Sequence, residues 1–248
     1  MTVTELYQKL EEWLSPELSC DWDNDGLMVC PDGEAEVKRV LLTLDVTAAA
    51  ADHAAERGFD LIVSHHPLIF RPLKTLSDPR LIALVRSRIA VMSFHTRLDA
   101  AAGGVNDALA ACLGLSDTER FTAEGIGVIG TLPEPLSPEA FAAKAKTVLG
   151  SPKLETIFTD RPCRRVAVVG GDGKDFVGEA ALAGADTYLT GSMSYNSMTD
   201  AEALGMNLIA AGHFETENPV LRPLADRIDA LLGRRACELF FSNRIAVL

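Results

Sequence analysis

The sequence repeats itself at long range, and a repeat of this length constrains the architecture more tightly than any local pattern. Laying Arg39 on Arg165 matches Val40 with Val166, Ala54 with Ala180, Ala55 with Ala181, Gly58 with Gly184 and Asp60 with Asp186, at a constant offset of 126 and without a gap. Both copies read as strand, helix, Gly-x-Asp, strand. Farther on, His95 and Asp99 correspond to His213 and Glu217 at an offset of 118, with three residues between the members of each pair. Two related halves are therefore expected within 248 residues, a length that leaves each half room for a buried core.

The local pattern agrees with an α/β class. Thr2 followed by Glu5 has capping-box spacing, and Leu6, Leu10, Trp13 and Leu14 recur at helical intervals, so the chain should open with an amphipathic helix. Short apolar runs at Val40 to Leu44, Leu61 to Val63, Ile89 to Ser93, Val166 to Val169 and Leu208 to Ala210 alternate with Ala-rich stretches of helical length, the signature of sheets covered by helices. Thr131 to Pro138 holds three prolines and reads as a turn-rich connection. It divides the chain into a first α/β half, 1–130, and a second, 131–248.

Composition narrows the function classes. A chain that is 48% hydrophobic and 23% charged, without low-complexity tracts, folds into a packed core. Its net charge of −12 repels phosphate backbones and anionic lipid, which argues against nonspecific nucleic-acid binding. The five cysteines are scattered, with no CxxC pair, and fit a reducing cytoplasm better than a disulfide framework. The charged N-terminus is unlike a signal peptide, and no apolar run approaches the ~18–20 residues of a membrane span.

The chemistry gathers on the histidines. His65 and His66 follow the apolar strand Leu61 to Val63, where ligands of open α/β sheets collect, and Pro67 ends the strand so that both rings can face one site. The alternative is a turn with solvent-facing rings. His95 and Asp99 follow the strand Ile89 to Ser93, and His213 and Glu217 follow Leu208 to Ala210. Imidazole and carboxylate together suit zinc, iron(II) or manganese. Even three of these four histidines with the two carboxylates exceed what one open site needs, which points to two ions and to hydrolysis by a water they activate.

These segments resemble the dinuclear-metal family of GTP cyclohydrolase 1 type 2 homologues, also called Ngg-interacting factor 3-like. The resemblance rests on Trp22-Asp23-Asn24-Asp25-Gly26-Leu27, Ser64-His65-His66-Pro67, His95-Thr96-Arg97-Leu98-Asp99, Thr190-Gly191 and Gly212-His213-Phe214-Glu215-Thr216-Glu217. It implies that His65, His66, Asp99, His213 and Glu217 ligate two divalent metal ions, with Glu217 bridging, and that His95 lies close by, supporting the ligands or facing the substrate. As an imidazole, a side chain whose ordinary titration falls near neutrality, His95 is the candidate catalytic proton relay. The resemblance further implies two similar α/β domains facing each other across a metal-binding cleft, the first taking back the C-terminal helix and strand, and a homohexamer. The expected function is a metal-dependent hydrolase on a small, nucleotide-like substrate; a phosphoester hydrolase and a non-catalytic metal-binding scaffold are the alternatives. Family members usually have Thr-Gly-Asp and then Tyr-His, where this chain has Thr190-Gly191-Ser192 and Tyr195-Asn196.

Two further motifs are weaker. Asp21-x-Asp23-x-Asp25-Gly26 imitates a calcium loop, but Pro31 and Gly33 forbid the helix that should follow, so the segment reads as a turn. Gly170-Gly171-Asp172-Gly173-Lys174 follows a strand without completing a P-loop, and reads as a tight strand-to-helix turn rather than a phosphate cradle.

Overall fold

Each of the five apolar runs becomes a parallel strand in one of two separate sheets. The computed structural model describes residues 1–241 and 243–246. The chain divides into one unit of Met1–Ala101 with Leu221–Arg244 and a second made chiefly of Ala102–Val220. The first contains α1 (Val3–Glu11), β1 (Gly26–Val29), β2 (Val40–Thr43), α2 (Ala48–Arg57), β3 (Leu61–Ser64), α3 (Pro79–Arg86), β4 (Ala90–Ser93) and α4 (Thr96–Ala100). The second contains α5 (Val105–Leu113), β5 (Ser116–Arg120), β6 (Val128–Leu136), α6 (Pro138–Leu149), β7 (Glu155–Ile157), β8 (Cys163–Asp172), α7 (Val177–Leu182), β9 (Thr187–Ser192), α8 (Tyr195–Ala203), β10 (Asn207–Ala210) and α9 (His213–Glu217). Then α10 (Leu221–Leu232) and β11 (Cys237–Leu239) rejoin the first unit, where β11 pairs in parallel with β2.

The strand order is β1-β4-β3-β2-β11 in the first sheet and β5-β6-β8-β9-β10-β7 in the second. In both, three adjacent central strands run parallel: β2, β3 and β4 in one, β8, β9 and β10 in the other. Residues of β2, β3 and β4 are buried throughout, as expected of strands covered on both faces. Helix α1 begins with the capping box read from Thr2 and Glu5 and buries Val3, Leu6 and Leu10.

The internal repeat has a physical content that the side chains make plain. Val40 pairs with Leu61 and Thr43 with Ser64; the residues 126 positions later, Val166 with Thr187 and Val169 with Thr190, pair identically. The Asp60 carboxylate accepts the backbone amides of Lys38 and Arg39, both at 2.8 Å, and Asp186 accepts those of Arg164 and Arg165 at 3.0 and 2.8 Å. Arg39 donates to the carbonyl of Arg57, and Arg165 to that of Ala183. Gly58 and Gly184 turn each helix back toward the next strand at φ +67° and +82°, a region that costs glycine nothing. The matched identities are thus the positions that the strand-helix-strand connection itself requires.

One expectation needs correction. The boundary at 130/131 falls inside β6, and the Pro-rich stretch after it is not a linker: β6 continues to Leu136, and Pro138 starts α6 behind the N-cap Ser137. Proline was read as a strand breaker, but β5 pairs with β6 only as far as Thr131. Pro133 and Pro135 then lie where the register with β8 shifts, so few ladder amides are demanded of them. The chain instead leaves the first unit at Ala101 and returns at Leu221.

Candidate metal centre

In the first unit, the carboxyl ends of β2, β3 and β4 bring Asp45, the His65-His66 pair and His95 side by side. This follows from topology, because parallel neighbours place the residues after each strand on one edge of the sheet. The His65 and His66 amides extend the ladder onto the carbonyls of Thr43 and Leu44, and the Ser64 hydroxyl donates to the His66 carbonyl at 2.9 Å, closing the turn before Pro67. The three rings sit with centroids 4.9 Å (His65 and His66), 5.3 Å (His65 and His95) and 5.7 Å (His66 and His95) apart. One ring nitrogen from each lies within 4.8 Å of the others. The solvent-facing turn is thereby replaced by a convergent group in which His65 is fully buried.

Every ring in this group is oriented in the same sense. His65 Nδ1 donates to the Phe94 carbonyl at 3.0 Å, His66 Nδ1 to Asp45 Oδ1 at 2.8 Å and His95 Nδ1 to Asp23 Oδ1 at 2.9 Å. A carbonyl and two carboxylates can only accept, so each Nδ1 carries a proton and Nε2 is the ring atom suited to bind a cation. Metal-binding histidines are characteristically fixed in this manner, and the set suits a borderline cation such as zinc or iron(II). Asp99, one helical turn beyond His95 on α4, places Oδ1 3.7 Å from His65 Nε2.

Asp23 is held hard in its charged form. Burial pushes its carboxyl up, but hydrogen bonds from His95, from the Thr96 hydroxyl at 2.7 Å and from the Thr96 amide at 3.0 Å together outweigh that and hold it well below the ordinary carboxylate range. Its neighbour Asp25 forms a buried ion pair with Arg97 at 2.6 Å. The acidic segment that imitated a calcium loop is therefore spent on orienting His95 and Arg97.

In the second unit, α9 follows β10, and its His213 and Glu217 are one turn apart on the same helical face. His213 Nε2 lies 3.1 Å from Glu217 Oε1, the imidazole half-exposed and the carboxylate buried. The glycines after β8 receive them. Gly171 adopts φ +68°, and a Cβ there would collide with Glu217 Oε1 and come within 3.1 Å of His213 Nε2. Thr216 ties this corner together, taking the Gly171 amide at 3.0 Å and donating to the Gly212 carbonyl at 2.9 Å. The amides of Gly170, Gly171 and Gly173 are committed to Asn106, Thr216 and Thr190 respectively, so the Gly-rich run is a backbone cradle for α9 and not a phosphate loop. Of the departures noted in sequence, Ser192 ends β9 and Tyr195-Asn196 opens α8, with Tyr195 exposed.

Each unit thus carries a histidine-carboxylate group, and in both the donor chemistry fits a divalent cation. The sequence pointed to all six residues but missed the acceptors that fix the rings. Asp45 carried no signal, and Asp23 stood out only within the Trp22 to Leu27 segment and the apparent calcium loop, neither of which gave its role.

Comparison with known proteins sets these groups in context. The family described as Duf34/NIF3 (NGG1p interacting factor 3) matches residues 1–246. A Clostridium perfringens protein named GTP cyclohydrolase 1 type 2 homolog is 32% identical over 240 residues, covering 92% of this chain and 91% of its own. The Schizosaccharomyces pombe protein NIF3 homolog is 32% identical over 241 residues, covering 88% and 86%. Among solved structures, a Staphylococcus aureus hypothetical protein superposes with a TM-score of 0.90 at 24% identity, covering 100% of this chain and 99% of that one, which speaks to the fold.

Proposed function

Because the chain belongs to the Duf34/NIF3 family, we propose that it is a metal-dependent hydrolase holding two divalent ions, zinc, iron(II) or manganese, and acting on a nucleotide-like substrate. The proposed ligands are His65, His66, Asp99, His213 and Glu217, with Glu217 bridging. The observation that carries the reading is the uniform orientation of the rings, each with Nδ1 on a hydrogen-bond acceptor, so that Nε2 is the atom presented to a cation. A solvated polar turn gives no reason for three such constraints. The nucleotide follows from the name of the Clostridium perfringens relative.

Divalent ions on these groups would supply Lewis acidity and lower the pKa of a coordinated water. The chain's own residues do the rest. His65 and Glu217 are buried, which strengthens the electrostatic interactions these two groups can make. His95 keeps about a fifth of its side chain exposed, and its Nδ1 is anchored on an ionised Asp23. A proton taken up at His95 Nε2 creates an imidazolium that this carboxylate stabilises, the arrangement a proton relay needs. The homohexamer belongs to the same proposal, and sedimentation velocity reads it directly.

The test is turnover by metal-replete protein. Loaded with zinc, manganese or, anaerobically, iron(II), it is offered nucleotides while ultraviolet absorbance reports ring opening and free phosphate reports ester cleavage. Glu217→Gln should lower metal content and turnover together. Phosphate release without a change in the heterocycle would make the protein a phosphoester hydrolase. Full metal occupancy with no turnover would leave a metal-binding scaffold.

A further inference from the structure

Outside the ligand groups, the least expected surface feature of the first unit is an indole pointing into solvent beside the histidines. Trp22 is 62% exposed and Phe70 44% exposed. Their ring centroids lie 6.3 Å apart, and the Trp22 ring meets His95 edge-on at 6.1 Å. The indole is exposed without being loosely tethered. On one side of it the Cys20 amide donates to the Thr96 hydroxyl at 3.0 Å, and on the other Asp23 is bonded to both His95 and Thr96. The Asp23 amide closes the turn onto the Cys20 carbonyl at 2.9 Å, and Asn24 ties this loop to the Ile69 carbonyl next to Phe70. The chain's other tryptophan, Trp13, is half-buried and covered by the Arg227 guanidinium at 4.1 Å. Among the described residues no guanidinium covers Trp22, although a large aromatic ring normally gains by burial.

We propose that the exposed face of Trp22, flanked by Phe70, is the stacking platform for the planar heterocycle of the substrate. This rests on the nucleotide-like substrate proposed above and gives it a recognition element. Stacking suits the geometry because a ring laid on the indole lies beside His95, the residue assigned to proton transfer. It also accounts for the hydrogen bonds that hold the loop, since a preorganised aromatic loses little entropy when its ligand arrives. An indole recognises any base through its π-face, so the platform selects planar heteroaromatics as a class.

The test reads binding as well as turnover. In the full chain carrying Trp13→Phe, Trp22 is the sole indole, and its fluorescence is followed, metal-free and zinc-loaded, on titration with the four common nucleoside 5′-monophosphates and with ribose 5-phosphate. The nucleotides are expected to quench it and ribose 5-phosphate to leave it unchanged. In equilibrium dialysis, Trp22→Ala should weaken nucleotide binding by about tenfold, and Trp22→Phe should recover most of the loss. Melting temperatures should match across these variants, because Trp22 is exposed. Equal nucleotide affinity in Trp22→Ala, equal binding of ribose 5-phosphate, or no quenching by any nucleotide would overturn the platform. So would a Trp22→Ala variant whose only change is in subunit assembly. Stacking without turnover would retain the platform and defeat the hydrolase; turnover unchanged in Trp22→Ala would do the reverse.

Discussion

Oδ1 of Asp45 meets Nδ1 of His66 at 2.8 Å, so a residue from the end of β2 sets the tautomer of a residue from the end of β3. The Asp45 side chain is half-exposed, and its removal should leave the fold intact. Without that acceptor the His66 ring loses the contact that keeps a proton on Nδ1. Asp45→Ala should therefore weaken zinc binding by about 10–100-fold, measured by competition with a chelator, while the melting temperature of the metal-free protein stays within a degree or two of wild type. Wild-type affinity in this variant would remove Asp45 from the site.

Arg97 makes a contrasting case, since its effect should fall on stability first. It is 4% exposed, paired with a buried Asp25 at 2.6 Å, and donates to the Leu14 carbonyl at 3.1 Å, which ties α4 to the end of the first helix. Burial lowers its pKa, but Asp25, Tyr7 and Glu11 outweigh that and hold the guanidinium charged. Arg97→Met strands the Asp25 carboxylate and should cost about 3–5 kcal/mol in urea denaturation. The double variant with Asp25→Asn should lose less than the sum of the two single changes. Strict additivity would mean that the pair is not coupled.

These two contacts also mark the limit of what the sequence discloses. The histidines are legible because a strand end is a local feature: an apolar run stops and His65-His66-Pro67 or His95 follows. The repeat is legible because Gly58, Asp60 and their counterparts Gly184 and Asp186 are required by the backbone within one strand-helix-strand unit. Asp45 and Asp23 reach their histidines across 21 and 72 residues, through pairing no periodicity encodes, so nothing near them announces the role. The Pro-rich part of β6 misleads for a related reason. Proline reports a missing amide donor, and whether a strand tolerates that depends on its neighbours in the sheet.

The matched aspartates allow the repeat to be tested energetically. Asp186 is 9% exposed and accepts two backbone amides together with the Thr187 hydroxyl at 2.7 Å, whereas Asp60 is more exposed and accepts two amides. Replacing either by Ala leaves backbone donors without their acceptor, which costs about 1–3 kcal/mol where water does not reach them. Chemical denaturation should place Asp186→Ala at the upper end of that range and Asp60→Ala at the lower. Similar losses would mean that burial does not separate the two copies.

Gly171 brings backbone and site together at one position. Its φ of +68° is strained for any residue with a side chain, and a Cβ would press on Glu217 Oε1 and sit within 3.1 Å of His213 Nε2. The left-handed backbone alone costs alanine about 1–2 kcal/mol. Shifting Glu217 is a separate loss, because this carboxylate is buried on α9 and Thr216 beside it anchors the Gly171 amide. Gly171→Ala should therefore lower the melting temperature by several degrees and, in protein still folded at 20 °C, reduce zinc affinity beyond what Asp45→Ala does. Circular dichroism checks the fold, and chelator competition on the same sample checks the affinity. A folded Gly171→Ala protein with undiminished affinity would show that Glu217 keeps its ligand geometry without the glycine, and that the cradle serves the fold alone.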